Sequence, residues 1–317
     1  MSSISPPTRE PTSLPSPGSQ VLELGVRSGR SPGPLHVLRK YWNICRVSLI
    51  ERLTYRADFF LATILRFLPM LTTILLWQAV FAGAEATSGP GADASSGQQK
   101  LSGFTFDEMV AYLLLVHISR MFSSMPGLAA GIARDVREGT LKKYLIQPID
   151  MIGYLVSYRA AHKMAYITTT ILPYGFLFFL CRSYFAGISV TFTQVVAYIV
   201  SLLLGFLIGF FFEASIGMVG FWFLEVTSLL YIVNTLNFFV SGQMFPLGLL
   251  PHPWDSILKS LPFQYMAYFP AAILLGKIKG AALVYQLLGE VAWVLGFIVL
   301  SRWLYRLGLR RYSAYGG

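Results

Sequence analysis

The sequence predicts an all-α integral membrane protein: six transmembrane helices, an N-terminal amphipathic interfacial helix, a short basic cytoplasmic helix and short re-entrant helices before the last span. Three observations carry that prediction. Apolar residues make up 55% of the 317 and charged residues only 13%, against about 25% charged in soluble domains. Mean hydropathy is +0.58, and apolar runs long enough to cross roughly 30 Å of hydrocarbon recur along the chain. The net charge of +10 collects beside those runs, as membrane topology and anionic headgroups require. Nucleic acid is excluded as the partner of that charge, because no basic stripe is interleaved with aromatics.

Each element follows from its own pattern. Residues 1–34 are rich in Ser, Pro and Gly and predict a disordered tail, either inert or regulatory. No signal peptide is expected there, since no apolar core follows a basic start. Over 35–56, Leu38, Trp42, Cys45, Leu49 and Leu53 recur every three or four positions, with Arg39, Lys40, Arg46, Arg52 and Arg56 largely between them. That spacing predicts a helix lying in the membrane interface. A six-span domain then covers 57–312, with spans near 59–82, 107–130, 164–181, 193–213, 226–245 and 280–301.

Charge bias sets the orientation. With a cytoplasmic N-terminus, the basic residues of 39–56, Arg134, Arg137, Lys142, Lys143, Arg159, Lys163, Arg302, Arg306, Arg310 and Arg311 fall inside. Only Lys100, Arg182, Lys259, Lys277 and Lys279 fall outside, so both termini are expected in the cytoplasm. The external loop 83–106 is rich in Gly, Ser and Ala. Residues 246–279 instead mix apolar runs with Pro246, Pro251, Pro253, Pro262 and Pro270. They are too apolar for a solvated loop and too broken for a span, which fits re-entrant or interfacial helices on the outer face. A folded external cap is the alternative.

Between the second and third spans lies Arg134-Asp-Val-Arg-Glu-Gly-Thr-Leu-Lys-Lys-Tyr-Leu-Ile-Gln-Pro148. Asp135 and Glu138 suit the positive end of a helix, Lys142 and Lys143 its negative end, and Pro148 a stop. The plain alternative is a positive-inside loop. Cys45 and Cys181 fall at opposite faces and cannot pair within one chain. His36, His117, His162 and His252 are scattered, and no metal-ligand spacing is present.

Ionisable residues at membrane depth are costly and default to functional hypotheses. Arg66, His117, Arg120, Glu213 and Glu225 are the candidates, with His117 and Arg120 three apart on one helix. Pairing of Arg66 or Arg120 with Glu213 or Glu225 would lower the cost of burial; a role in substrate passage is the sharper reading. Gly205 and Gly209 allow close helix approach, within one protomer or between two. The aromatic runs Phe176–Phe179 and Phe210–Phe212 suit packing, lipid contact or a substrate wall.

Taken in order, these elements resemble the membrane subunit of a type-2 ATP-binding-cassette exporter over about residues 35–312. The carriers are Arg137-Glu-Gly-Thr-Leu141 after the second span, Ser241-Gly-Gln-Met-Phe-Pro246 at the end of the fifth, and Leu261-Pro-Phe263 before the last. The resemblance implies a plasma-membrane permease (a prokaryotic cell or inner membrane) working as a homodimer or heterodimer with a separate ATPase subunit and membrane lipids. Arg137, Glu138, Gly139, Thr140 and Leu141 would form the coupling helix against that ATPase. Gly242, Phe245, Pro246 and Pro262 would mark the re-entrant region. No cofactor is expected on this chain, with ATP and Mg²⁺ on the partner. In agreement, no phosphate-binding Gly-x-x-x-x-Gly-Lys-Ser/Thr loop is present, and Gly276-Lys277 runs on into Ile278. The substrate is left open among drugs, lipids and glycans. A non-transporting membrane scaffold is the main rival. A membrane-embedded transferase lacks converging catalytic groups, and a secondary transporter would show repeated halves with broken midplane helices.

Overall fold

The structure, a computed structural model, describes residues 39, 42–43, 46–47, 50, 56–87, 103–146, 149–223 and 225–312. The chain divides into two units, Met1–Asn43 and Ile44–Gly317. In the first, the described Arg39, Trp42 and Asn43 are helical. The 1–34 tail, most of the interfacial helix and Pro148 lie outside the described residues, as does the side chain of Arg66.

The second unit is helical throughout, with no strand among its described residues. Helix α1 (Arg56–Thr87) leads to α2 (Phe106–Ser123), α3 (Leu128–Arg137), the four-residue α4 (Lys142–Leu145) and α5 (Met151–Leu180). Next come α6 (Phe192–Met218), α7 (Thr227–Val240), α8 (Trp254–Ser260), α9 (Tyr268–Leu274) and α10 (Ala281–Arg311), with a 3₁₀ turn at Pro262–Met266. Among the described residues, four segments are long and apolar enough to cross a membrane: Phe67–Ala84, Phe106–Arg137, Phe192–Phe221 and Ala281–Arg311. Helix α5 makes a fifth if its two halves, bent by 52° at residue 169, count as one span. Pro173 explains the bend, because its ring displaces the carbonyl four residues earlier. Helix α7 has 14 residues, about 21 Å at 1.5 Å per residue, short of a full crossing.

Two helices form the interior. From Met109 to Val116 every residue of α2 is buried, as expected for a helix apolar on all sides. It starts with a capping box in which Thr105 and Glu108 bond each other's backbone N–H at 3.2 Å. Helix α6 is the spine, and its glycines line the contacts. A Cβ on Gly205 would lie 2.9 Å from Tyr265 O, one on Gly209 1.9 Å from Ser123 O, and one on Gly217 2.8 Å from Ala129 O. The Gly205–Gly209 pair therefore serves packing within the protomer. Helix α10 meets α6 along a narrow buried seam of Glu290, Val294, Phe297 and Ser301.

The segment after α7 threads inward. Gln194 Nε2 bonds Ile273 O at 3.2 Å near the start of α6. Tyr265 O meets Gly205, eleven residues further along α6, or about 16 Å deeper. At that depth Ser123 Oγ donates to Met266 O at 2.8 Å. The segment Pro262–Leu274 thus runs into the bundle, whereas α8 has no buried residue.

Candidate functional site

The segment 134–148 differs from the single helix expected there. Asp135 and Glu138 are not in a first turn. They close α3, whose buried face is Leu128, Ala129, Ile132, Ala133 and Val136. The break is at Gly139, whose φ of +71° a side chain would strain. Its N–H bonds Val136 O at 3.4 Å, as in a Schellman-type helix end. The chain then folds back: Leu141 N–H reaches Asp135 O at 3.0 Å, and the Leu141 side chain is fully buried in the core.

Asp135 organises this turn. Its Oδ1 accepts from Thr140 Oγ1 at 2.8 Å, and its Oδ2 pairs with Lys143 Nζ at 2.8 Å. Partial burial opposes the Lys143 ammonium, but the Asp135 carboxylate outweighs it and holds Lys143 above its ordinary range. Arg137 and Glu138 remain exposed on the outside of the turn. A polar knob is therefore presented on a backbone anchored inward by Val136 and Leu141.

The helix break between α2 and α3 is stabilised by residues from other helices. Lys163, expected at the cytoplasmic surface ahead of a third span beginning at 164, instead lies inside α5, which begins at Met151, and is buried. Its ammonium donates to Ser124 O at 2.6 Å and to Met121 O, and Arg159 Nη1 donates to Pro126 O at 3.0 Å. Cations thus sit on the carbonyl end of α2, where the helix dipole favours them. On the other side of the break, Gly127 offers no side-chain cap to α3. Glu213 of α6 faces this helix start, with Ala129 N–H and the charges of Arg120 and Arg159 within its electrostatic range.

Arg120 and Glu213, two of the intramembrane residues singled out from sequence, therefore come together. They line a cleft of about 470 Å³ with Ser124–Gly127, Ala130, Thr227, Leu230, Tyr231 and Asn234. Arg120 Nη1 also donates to Ser123 Oγ at 3.3 Å. His117 does not join them. Its ring stacks on Tyr174 with centroids 5.8 Å apart, and it lines a second cleft with Pro69, Met70, Thr73 and Phe238. Glu225 is exposed ahead of α7 and does not line the Arg120 cleft.

Of the residues expected to mark a re-entrant region, Gly242 packs against α2. Gly242 has φ +79°, and a Cβ there would lie 2.9 Å from Tyr268 Cβ and 3.0 Å from Tyr112 Oη. Tyr112 donates to Gly242 O, and Tyr268 N–H to Ser241 O at 3.1 Å. Pro246 and Pro262 are buried and Phe245 is half-buried.

The family model described as ABC-2 family transporter protein matches residues 94–316, most of the 317-residue chain. The chain belongs to the ABC-2 transporter family. No curated protein matches its sequence. ABC-2 permeases are membrane components without an ATPase site of their own and normally work with an ATPase partner. The matched range contains residues 134–148, the α2–α3 break and the inward-threading segment.

Two residues of this ABC-2 chain escaped the sequence reading. Glu290, in α10, is fully buried. Its Oε1 accepts from Ser201 Oγ at 3.1 Å, and its Oε2 has no hydrogen-bond partner among the described residues. A lone acid inside the last apolar run was a visible signal. Asp150 is the second. It caps α5 through Gly153 N–H at 2.8 Å and forks onto Arg302 of α10 at 2.6 and 2.7 Å. Burial opposes its charge, yet the Arg302 and Gly153 hydrogen bonds prevail and hold its carboxyl below the usual range.

Proposed function

We propose that this chain is the permease subunit of an ATP-driven exporter, paired with a second permease and driven by a separate ATPase subunit that holds ATP and Mg²⁺. The observation that carries this reading is the anchored knob. Arg137 and Glu138 are exposed on a turn whose Val136 and Leu141 are fixed in the core. A push on such a knob is delivered to packed helices instead of being absorbed by a loose loop. In this reading α7 completes a six-helix bundle, the basic end faces the cytoplasm of the cell, and both termini lie there.

Helix α3, packed along α6, carries the push to the charged joint at Ser124–Gly127, beside the Arg120–Glu213 cleft. That cleft lies in the range usual for small-molecule sites. Its walls combine apolar Met125 and Leu230 with Tyr231, Asn234 and a charge pair, which suits an amphiphile with a polar headgroup, within the drug, lipid or glycan classes. The test uses the assembled complex. Glu138→Ala removes an exposed side chain, and Gly139→Pro forbids the positive φ. Both are expected to abolish permease-coupled ATPase stimulation while membrane insertion and thermal stability of the Glu138→Ala chain stay unchanged. Full coupling in both variants would sink the assignment.

A further inference from the structure

We propose that the Asp150–Arg302 fork carries movement of the coupling segment to the last helix, α10. The proposal rests on the coupling role argued above and extends it to a helix remote in sequence.

Asp150 sits where the coupling segment turns into α5, and it does two things at once. Oδ2 accepts from Gly153 N–H at 2.8 Å, starting α5. Both carboxylate oxygens also meet the Arg302 guanidinium, at 2.6 and 2.7 Å. A two-point contact between planar groups fixes orientation as well as distance, which a single-point ammonium contact does not. The start of α5 and the basic end of α10 are thereby held as one piece.

The two sides of the fork are suited to this. On one side, the Asp135–Lys143 pair at 2.8 Å and the Thr140–Asp135 bond at 2.8 Å stiffen the coupling turn internally. On the other, α10 is buried only along one seam, from Glu290 to Ser301 and again at Gly308, with Leu295, Val299 and Trp303 exposed on its remaining faces. A helix held along one seam can rock about it. Arg302 adjoins Ser301, the seam residue nearest the fork, so a pull there has leverage on the whole helix. Tyr305, one turn on, lies within electrostatic range of both partners. The side chains of Arg302 and Asp150 are 43% and 32% exposed, so the fork can open and re-form without stranding a charge in the core.

The test needs variants that separate linkage from folding. Asp150→Asn keeps a good N-cap acceptor and loses the charge. Arg302→Gln removes the cation, and Arg302→Lys keeps it without the fork. Spin labels go on Phe223→Cys and Arg310→Cys, both exposed, in a chain carrying Cys45→Ser and Cys181→Ser. The distance between them is measured in nanodiscs with the co-purifying ATPase subunit, with and without ATP, Mg²⁺ and vanadate. The unaltered fork is expected to show a nucleotide-dependent distance change. In Asp150→Asn and Arg302→Gln the shifted population falls on the order of fivefold, the low end of a site-to-site coupling. The nucleotide-free distance and the basal ATPase rate stay the same, and Arg302→Lys falls between. A full nucleotide response in Asp150→Asn and Arg302→Gln overturns the linkage. So does an equal change of the nucleotide-free distance, which marks a static brace. Failure of the unaltered chain to retain an ATPase, or to respond to nucleotide, overturns the permease reading instead.

Discussion

Helix α7 and the segment Pro262–Leu274 are both apolar, both too short to cross a membrane, and separated by only 21 residues. In α7 the one buried residue is Asn237, while Tyr231, Ile232, Leu236 and Phe239 are exposed. In the later segment Pro262, Gln264 and every residue from Tyr265 to Ile273 are buried. Hydropathy does not separate them, because it measures the cost of meeting water and not what replaces water. The backbone does. An unbroken helix satisfies its own N–H and C=O groups and can face lipid or another chain. A segment broken into a 3₁₀ turn and a two-turn helix cannot, so it must find partners inside protein. It finds them: Ser241 O for Tyr268 N–H, Ser123 Oγ for Met266 O, and Gln194 Nε2 for Ile273 O. Its polar side chains are met as well, since Gln264 and Tyr265 both reach Gln286 of α10 at 3.2 and 3.1 Å.

The comparison breaks most visibly at Phe269, which is fully buried and stacks edge-on against Tyr265 with centroids 5.3 Å apart. Phe269→Ala is expected to cost about 3–5 kcal/mol through lost burial and the cavity left behind. Thermal unfolding in detergent would show it. An effect no larger than that of an α7 truncation would mean that the segment is not core. Tyr112→Phe is a smaller probe of the same region. It removes the hydroxyl that reaches Gly242 O and leaves a buried carbonyl short of a donor, for about 1–3 kcal/mol. Unchanged stability would show that the carbonyl is satisfied without Tyr112.

How far these features were legible in the sequence depends on how far apart their parts lie. The Gly242–Pro246 turn and Pro262 were readable, because Gly and Pro state their backbone demands locally. Residues 134–146 read as one helix, whereas the fold divides them into the end of α3 and the short α4. Asp135 and Glu138 looked like first-turn acids, whereas Gly139 ends the helix and turns Asp135 back onto Thr140 and Lys143. The Arg120–Glu213 proximity was one of several pairings the composition allowed, and only the fold chose among them. Lys163 looked like a surface cation because its partners are the main-chain carbonyls Met121 O and Ser124 O, which carry no side-chain signal. The Asp150–Arg302 fork joins positions 152 apart, and no local spacing encodes it. Glu290 was the avoidable omission, a single acid in an otherwise apolar run.

The smallest expected effect sharpens the comparison from the α7 side. Leu236 is 57% exposed, so Leu236→Ala removes little protein contact. It should change the stability of the isolated chain by no more than about 0.5 kcal/mol, as at a typical exposed position. The same substitution has a second readout. If α7's exposed face meets a second permease, Leu236→Ala will weaken dimerisation in nanodiscs while leaving the monomer's unfolding temperature in place. If the face meets only lipid, both will stay unchanged, and the second permease must contact another surface. A large loss of monomer stability would contradict both readings, because it would mean that the side chain is held within the chain itself. Measuring unfolding and dimerisation on one variant therefore separates the three possible neighbours of α7: its own chain, lipid, or a second copy or homologue.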